Sequence, residues 1–192
     1  MLTANAQPSL LKRNRRRVVT GHDATGKSCV IFDSDAPNVY QRPGTQAFFT
    51  EFWTIESIPS VLWGKKDGGG CAERTFSHSP PIKGAHFRIV QSVPDAEAFK
   101  DSKSERASFD RMNPGGVSQL KVGGPAAHFH RTPSADYAFN LGCDRYLILD
   151  DSEILVRRGD VVIQLGNFHA WVNRSSDLGC MAFDMIGGEF PD

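Results

Sequence analysis

The sequence predicts an all-β fold, a barrel or sandwich of short strands, and three observations support this. From Val117 to Ile186, short apolar segments follow one another closely, with Gly, Pro, Asp or Ser at nearly every junction. Thirteen Phe accompany eighteen Gly and eleven Pro, a composition typical of aromatic strands joined by many turns. Two histidine clusters lie on strand-like segments, at 128–130 and at 169. We find no internal repeat and expect no long helix.

The N-terminal strands are predicted from the alternation of polar and apolar residues. Val18–Gly21 and Ser28–Asp33 flank the polar segment 22–27, which is typical of a hairpin loop. Ala47–Ile55 then alternates aromatic and polar residues, the pattern of a strand with one buried face. We therefore expect strands in all three positions.

The middle of the chain mixes loops with one strand. Three consecutive glycines indicate a loop at 64–70, and Ala85–Val93 is strand-like. The polar segment 94–111 contains Asp95–Lys100, which has the character of one helical turn. The later predicted strands share a short apolar sequence bounded by turn residues: Val117–Val122, Ala135–Leu141, Arg145–Leu149, Glu153–Arg157, Asp160–Gln164, His169–Asn173 and Cys180–Ile186.

Length and composition suit one folded domain. At 192 residues and 40% apolar content the chain can bury a sizeable core. We divide it into a flexible basic arm at 1–17, N-terminal strands at 18–79 that pack on the barrel, and the barrel at 80–192. A mitochondrial presequence and a basic contact arm are the alternatives for 1–17, although that segment lacks a convincing amphipathic period.

Charge and cysteine usage exclude several classes. Lys and Arg number 22, as do Asp and Glu, so the formal net charge is zero, and we expect no nucleic acid and no membrane as partner. No apolar run approaches the roughly 20 residues of a membrane span, and no secretory leader is visible. We therefore expect a cytoplasmic protein. Its four cysteines are scattered without a CxxC pair, which favours buried free thiols: Cys29, Cys71, Cys143 and Cys180.

The histidine clusters predict a metal site. His128 and His130 are two positions apart, so on a strand they point to the same face. His169, from a later strand, can close on them if the sheet curls into a small barrel. Three neutral imidazoles around one point suit a divalent transition metal, and Asp136 could supply an oxygen. Fe, Mn, Ni and Zn all fit such ligands, so the metal itself stays open.

The two clusters, with their glycines, resemble the two motifs of the cupin superfamily. The first motif of that family runs as a glycine, HxH, an acidic residue and a closing glycine, and the second as G, P, G, H, N. The matching residues here are Gly123, His128, His130, Asp136 and Gly142 for the first motif, and Gly159, Gly166, His169 and Asn173 for the second, with Gln164 in the proline position.

This resemblance implies a cupin jelly-roll barrel, that is, a double-stranded β-helix, with additional N-terminal strands. Within the superfamily, the stretches around Asp136-Tyr137 and 159–173 look like a branch of small single-domain cupins. Its fungal members are similar to oxidoreductases and decarboxylases of aromatic-polyketide gene clusters. A homodimer is expected on the same analogy.

The chain departs from the first motif at its acidic residue. The usual cupin glutamate comes four or five residues after HxH, where this chain has Ser134 and Ala135. Asp136 comes one position later and has a shorter side chain. It is a metal ligand, a hydrogen-bond partner of a histidine, or a general base.

Other polar and aromatic residues are weaker candidates for the site. Gln164 could hydrogen-bond a histidine or the substrate, and Tyr137 could stack on a planar ring or belong to the core. Trp171 shares a strand face with His169 and could wall the pocket, and Asp184 could face the barrel interior as a base. The remaining polar residues are expected at the surface or in structural roles: His22, His78, His86 and Arg88.

Three functions follow from this site together with what the resemblance implies. The first is a mononuclear metal-dependent oxidoreductase acting on a small oxygenated aromatic or polyketide-derived metabolite in secondary metabolism. The second is a non-redox lyase or isomerase that decarboxylates or dehydrates such a compound through an enolate. The third is a non-catalytic binding protein. The site residues of the enzyme would be His128, His130, His169 and Asp136 for the metal, Asp136, Gln164 and Tyr137 for catalysis, and Trp171 and Asp184 for the substrate pocket.

Overall fold

The structure, a computed structural model, describes residues 15–62, 64, 66–69, 75–95 and 102–190. These residues form thirteen strands and one helix, so the predicted all-β class is confirmed. In chain order they are β1 (Arg16–His22), β2 (Ser28–Asp35), β3 (Asn38–Gln41), β4 (Phe48–Ile55), β5 (Ala85–Ser92), α1 (Ser102–Met112), β6 (Gln119–Leu120), β7 (His130–Arg131), β8 (Ser134–Asn140), β9 (Arg145–Ile148), β10 (Glu153–Val156), β11 (Val161–Leu165), β12 (Ala170–Val172) and β13 (Gly179–Gly187).

The larger sheet has six antiparallel strands in the order β11-β8-β13-β5-β4-β3. The long strand β13 lies at its centre and pairs with β5 on one side and β8 on the other. Because side chains alternate along a strand, Met181, Phe183 and Met185 face a cavity inside the molecule. The intervening residues, such as Ala182 and Asp184, face outward.

A second layer lies across that cavity from the larger sheet. It consists of the three-stranded sheet β10-β9-β12 and the short pair β6-β7. An isolated antiparallel bridge between His130 and His169 joins the two, with backbone N···O distances of 2.9 Å in both directions. The curled layer therefore places the two histidine-bearing segments side by side.

The second layer is anchored by a small apolar cluster. Phe129 is fully buried with Ile148 and Ala170. Its ring stacks on Phe168, with centroids 5.8 Å apart and an interplanar angle of 14°. Because Phe129 lies between His128 and His130 in the chain, this packing fixes the backbone from which both histidines project.

The first two strands form a separate hairpin, as predicted. Asp23 organises its turn, because its Oδ1 accepts the backbone N–H groups of Thr25 at 2.8 Å and Lys27 at 3.0 Å. Arg17 on β1 donates to the Phe52 carbonyl and pairs with Asp67. These contacts hold the hairpin against the larger sheet.

Helix α1 is the main element that the sequence did not predict. Its eleven residues are mostly polar, so its periodicity is weak, yet Phe109 and Met112 are buried at helical spacing. Two more buried residues, Glu105 and Ser108, complete one inward face. Packing of this face, rather than a strong amphipathic pattern, selects the helix.

Other boundaries also differ from the prediction. The strand expected at 117–122 is reduced to Gln119–Leu120, because Asn113 closes the preceding turn with hydrogen bonds to Ser118. Strand β3 was not expected, and it extends the larger sheet beyond β4. The predicted helical turn at 95–100, apart from Asp95, and residues 1–14 of the predicted basic arm lie outside the described residues, whereas Arg16 and Arg17 belong to β1.

The predictions about the cysteines and about a membrane span can be compared with the described residues. Cys29, Cys143 and Cys180 are free thiols, as expected, but they are only partly buried rather than buried, and Cys71 lies outside the described part of the chain. Within the described ranges, α1 and any other helical segment fall short of the length and apolarity needed to cross a bilayer. The division into segments at 17 and 79 stays a prediction.

Candidate functional site

The candidate site is a cavity of about 230 Å³ between the two layers. The larger sheet contributes polar side chains, among them Arg88 and Asp136, and an apolar wall from β13. The second layer contributes His130, His169 and Trp171. A cavity with an apolar wall and a few convergent polar groups is the usual form of a small-molecule site.

His130 and His169 are the two predicted metal ligands that the structure brings together. Their ring centroids lie 4.7 Å apart. The Nδ1 of His130 donates to the His128 carbonyl at 2.5 Å, and the Nδ1 of His169 donates to the Asn167 carbonyl at 3.0 Å. A carbonyl can only accept, so each Nδ1 carries a proton and each Nε2 keeps a lone pair. Burial lowers the pKa of His130 to about 3 and that of His169 to about 4, which keeps both rings neutral.

His128 does not occupy the predicted position. It precedes β7 rather than sharing a strand with His130, and its backbone has a φ of 56°, in the left-handed region. Its backbone N–H donates to Glu105 on α1, which helps hold this turn. The expectation that His128 and His130 share one strand face was therefore wrong, because the chain turns at His128 before the strand begins.

The side chain of His128 also contacts a different partner from the one predicted. Its Nδ1 faces the Nη2 of Arg42, and a guanidinium can only donate, so His128 Nδ1 must accept. In the neutral ring the proton then sits on Nε2. Arranged in this way, His128 offers no lone pair to a metal ion, although it lines the same cavity as His130 and His169.

His78 is a cavity residue that the sequence did not indicate. It lies in the segment before β5, and its ring packs against that of His130 with centroids 4.5 Å apart. Burial lowers its pKa, and its Nδ1 has no hydrogen-bond partner among the described residues. No spacing signal could have found it, because 50 positions separate it from the first histidine motif.

The histidine and carboxylate side chains of the cavity are of the right chemical type for a metal ion, but only two of them are brought together. Neutral imidazoles and a carboxylate are suitable ligands for divalent transition metals, and His130 and His169 have adjacent rings whose Nε2 atoms keep a lone pair. Within the described ranges, however, no three His, Cys, Asp or Glu side chains are grouped so that they could hold one ion. The predicted set of His128, His130, His169 and Asp136 is thus not assembled, and only its His130–His169 pair is.

Asp136 is buried beside the cavity on β8. Ser134 Oγ donates to its Oδ1 at 2.6 Å. Burial raises the pKa of Asp136 to about 6, against the smaller lowering effects of Ser134 and Arg88. A carboxyl group with such a pKa can both take up and release a proton near neutral pH, as a general base or acid must.

Asp136→Asn is expected to change how the stability of the metal-free protein depends on pH. With a pKa raised from 3.8 to about 6, Asp136 binds its proton more tightly in the folded state. The resulting stabilisation is fully present below about pH 4 and is lost as the pH rises through 6, a change of about 3 kcal/mol. Asn stays neutral at every pH, so the variant lacks this loss. Between about pH 4 and pH 8, its free energy of unfolding should therefore rise relative to that of wild type by that amount.

Urea unfolding at about pH 4 and pH 8 measures this difference. Asp184→Asn is the matched control, because burial raises the pKa of Asp184 on the other face of the same sheet, where it is only partly covered. The control should show a smaller change. Equal pH dependence in wild type and Asp136→Asn would contradict the buried-carboxyl interpretation.

Gln164 and Trp171 connect the two layers. Gln164 is buried opposite Asp136 in the β8–β11 register, and its Oε1 accepts the Trp171 indole N–H at 3.3 Å. Trp171 lines the cavity and packs edge-on against Phe183. Gln164 is therefore placed to orient the indole of Trp171 at the cavity wall.

The predictions that Tyr137 and Asp184 belong to the site are wrong, because both residues lie on the outer face of the larger sheet. They pair with each other across β8 and β13, and Tyr137 is 40% exposed. Alternation along β8 points Asp136 inward and Tyr137 outward. The interior face of β13 is the one bearing Met181, Phe183 and Met185.

Arginine side chains contribute more to the cavity than the sequence indicated. Arg88, expected to be exposed, is 2% exposed and lies 2.7 Å from Glu51 in an ion pair. Arg42 and Arg145 also line the cavity, and burial lowers the pKa of each, that of Arg42 to about 9. Alternation places Arg88 on the inward face of β5, where the Glu51 carboxylate compensates its charge.

Of the other histidines, His22 is exposed, and His86 is buried with its Nε2 3.0 Å from Met185 Sδ.

Comparison with known proteins finds relatives in sequence. No family model matches the chain. It is 29% identical over 171 residues to the phomopsin biosynthesis cluster proteins C' and D of Diaporthe leptostromiformis, covering 85% of this chain and 72% of each relative.

Among solved structures, the cupin domain of Schizosaccharomyces pombe Cnp3 matches with a TM-score of 0.42 and 10% identity, over 94% of this chain and 100% of that one. A cupin-2 domain of Rhodospirillum rubrum matches with a TM-score of 0.38 and 8% identity, over 100% and 78%. The chain is thus similar in sequence to proteins of a biosynthesis cluster.

Proposed function

We propose that this chain is an enzyme of secondary metabolism that transforms a small oxygenated metabolite in the cavity between its two layers. We further propose that a divalent metal ion binds at His130 and His169. The similarity to the phomopsin cluster proteins supports the biosynthetic role. The buried histidine pair supports the metal site.

The arrangement of His130 and His169 carries the proposal. Both rings are neutral, both Nδ1 atoms are fixed by backbone carbonyls, and the Nε2 atoms belong to adjacent rings lining one cavity. A histidine whose second ring nitrogen is held in this way is oriented for ligation in advance. This arrangement therefore supports ligation of one ion by the two Nε2 atoms.

The chain's own residues define what the site can do around such an ion. When bound, the metal would polarise an oxygen of the substrate or activate dioxygen. Asp136 can hold or release a proton at its carboxyl group near pH 6. The guanidiniums of Arg42 and Arg145 can stabilise negative charge on a substrate oxygen, and Trp171 supplies an aromatic wall.

An oxidoreductase is the first reaction class that we propose. A non-redox decarboxylation or dehydration is the second, and the pKa of Asp136 favours it, because these reactions need a proton acceptor and donor near neutral pH. Oxygen uptake by the Fe(II)-loaded protein, assayed with small aromatic and polyketide-like acids, separates the two. Carbon dioxide release without oxygen uptake would favour the second class.

Metal content tests the proposal directly. Purified chain is loaded with Mn²⁺, Fe²⁺, Ni²⁺ or Zn²⁺, dialysed, and analysed for metal per chain and for affinity. Wild type should hold one ion. His130→Ala and His169→Ala should each weaken binding at least about 100-fold, because each removes one Nε2 ligand.

Two further histidine variants act as controls in the same measurement. His128→Ala should stay within about tenfold of wild type, because the His128 ring is held by Arg42 and offers no lone pair. His22→Ala, on the exposed hairpin, should leave binding unchanged. Substoichiometric metal in the wild type, or equal losses in His128→Ala and His130→Ala, would overturn the assignment.

A further inference from the structure

A third imidazole ring, that of His78, lies beside the His130–His169 pair in the cavity. His130 packs against His169 with ring centroids 4.7 Å apart and against His78 with ring centroids 4.5 Å apart. Two imidazoles that bind one ion through nitrogen at about 2.0–2.1 Å, with roughly a right angle between the bonds, have ring centroids about 4.5 Å apart. His78 therefore lies at the distance from His130 that a second ligand of the same ion would have.

The ring of His78 has a polar atom that the described residues do not satisfy. His78 is 9% exposed, and its Nδ1 has no hydrogen-bond partner among those residues. Burying a polar atom without a partner is costly, so native proteins normally provide one. Burial keeps this imidazole neutral, and a neutral imidazole always has one nitrogen with a free lone pair. A metal ion is a partner that such a nitrogen can bind.

The backbone of His78 is held on both sides, whereas its Nδ1 is not. The backbone N–H of His78 donates to the Met112 carbonyl at the end of α1, at 2.7 Å, and its own carbonyl accepts Arg88 Nη1 at 3.3 Å. The ring packs against the rings of Phe109 and His130. Because no hydrogen bond to a described residue fixes Nδ1, the ring can turn about its Cβ–Cγ bond while its backbone stays in place.

The remaining histidines of the chain are engaged elsewhere. The chain has six histidines, and besides His130 and His169 four could supply a third imidazole. His22 is exposed on the hairpin, and each ring nitrogen of His86 lies 3.0 Å from a partner atom on a neighbouring side chain. The Nδ1 of His128 accepts from a guanidinium. His78 is the one that remains.

We propose that His78 is the third imidazole ligand of the metal ion at His130 and His169, an inference that rests on the proposed function. Among the described residues, these three side chains as they stand are not grouped so that they could hold one ion, so ligation requires the ring of His78 to turn. His78 would then take the role that the resemblance assigns to His128, whose ring Arg42 holds.

Counting the imidazoles around a bound ion tests this assignment. The full chain is loaded with Cu²⁺ as a spectroscopic probe, and pulsed electron paramagnetic resonance counts the rings by the remote nitrogen of each coordinated imidazole. Wild type should show three imidazoles and His78→Ala two. His78→Ala should also bind Zn²⁺ at least about 100-fold more weakly than wild type, because one ligand is lost.

His128→Ala is the matched control, because it removes the same kind of side chain from the same cavity. It should keep three imidazoles and a Zn²⁺ affinity within about tenfold of wild type, since its ring is not a ligand. His78→Phe keeps the test decisive if His78→Ala does not fold. It retains an aromatic ring against Phe109 and His130 but has no ring nitrogen, so it should show two imidazoles and the circular dichroism spectrum of wild type.

The outcomes separate this inference from the proposed function. Two imidazoles in wild type, or equal counts in wild type and His78→Phe, would overturn the role of His78 and leave the ion at His130 and His169. A count that falls to two in His128→Ala would show that His128 is the third ligand instead. A wild type that retains no ion would overturn the proposed function, and this inference with it.

Discussion

Phe129→Ala is expected to lower the free energy of unfolding by about 3 to 5 kcal/mol, the range for emptying a fully buried aromatic site. Phe129 has no exposed surface and packs with Ile148 and Ala170, with Phe168 stacked on its ring. Ile148 on β9 and Ala170 on β12 are held by their sheet, so they can close on the vacated volume only in part. Urea denaturation of the purified variant measures the loss.

Phe129→Leu is the control for this substitution. It keeps most of the apolar volume and should lose less than about 1.5 kcal/mol. The alanine variant should also bind metal more weakly than the leucine variant, because Phe129 fixes the backbone next to His130. Equal stability of the two variants would show that the Phe129 site can collapse and does not anchor the layer.

Arg88→Met is expected to cost about 3 to 5 kcal/mol, because it leaves Glu51 as an uncompensated charge in a buried setting. The Arg88 guanidinium lies 2.7 Å from Glu51 and donates to the carbonyls of Ser77 at 2.7 Å and His78 at 3.3 Å. Its loss therefore removes one ion pair and also the hydrogen bonds that hold the segment carrying His78. Chemical denaturation measures the stability, and the nuclear magnetic resonance signals of His78 and His130 report the local change.

The double variant Arg88→Met and Glu51→Gln distinguishes charge from packing. Removing the carboxylate charge together with the guanidinium should recover a large part of the stability, because no unpaired charge remains. A double variant as unstable as Arg88→Met alone would show that the hydrogen bonds to Ser77 and His78, rather than the ion pair, dominate.

The pattern of the sequence was sufficient for most of the fold. Strands such as Ser28–Asp35, Phe48–Ile55 and Gly179–Gly187 were predicted within two residues at each end, because alternation and turn residues are local properties. Helix α1 was missed because its apolar face is only Phe109 and Met112 within a polar segment. Its stability depends on what it packs against, which a local pattern does not contain.

The candidate site was predictable only in part. The meeting of His130 and His169 was expected from the two motifs, and the structure joins these residues through a β-bridge. The shared strand face of His128 and His130 was not realised, because the chain turns at His128 and Arg42 contacts its ring. Arg42 lies 86 positions earlier in the chain, so spacing could not indicate the contact.

By itself, the sequence determined that this chain forms short strands and that two histidine-bearing segments can meet when a sheet curls. Both follow from side-chain alternation and turn chemistry, which act over a few residues. Only the tertiary structure decided which imidazoles share the cavity, that His78 and three arginines line it, and that Tyr137 faces outward. Those outcomes depend on burial and on contacts between distant residues, because a side chain's charge, tautomer and exposure are set by its neighbours in space.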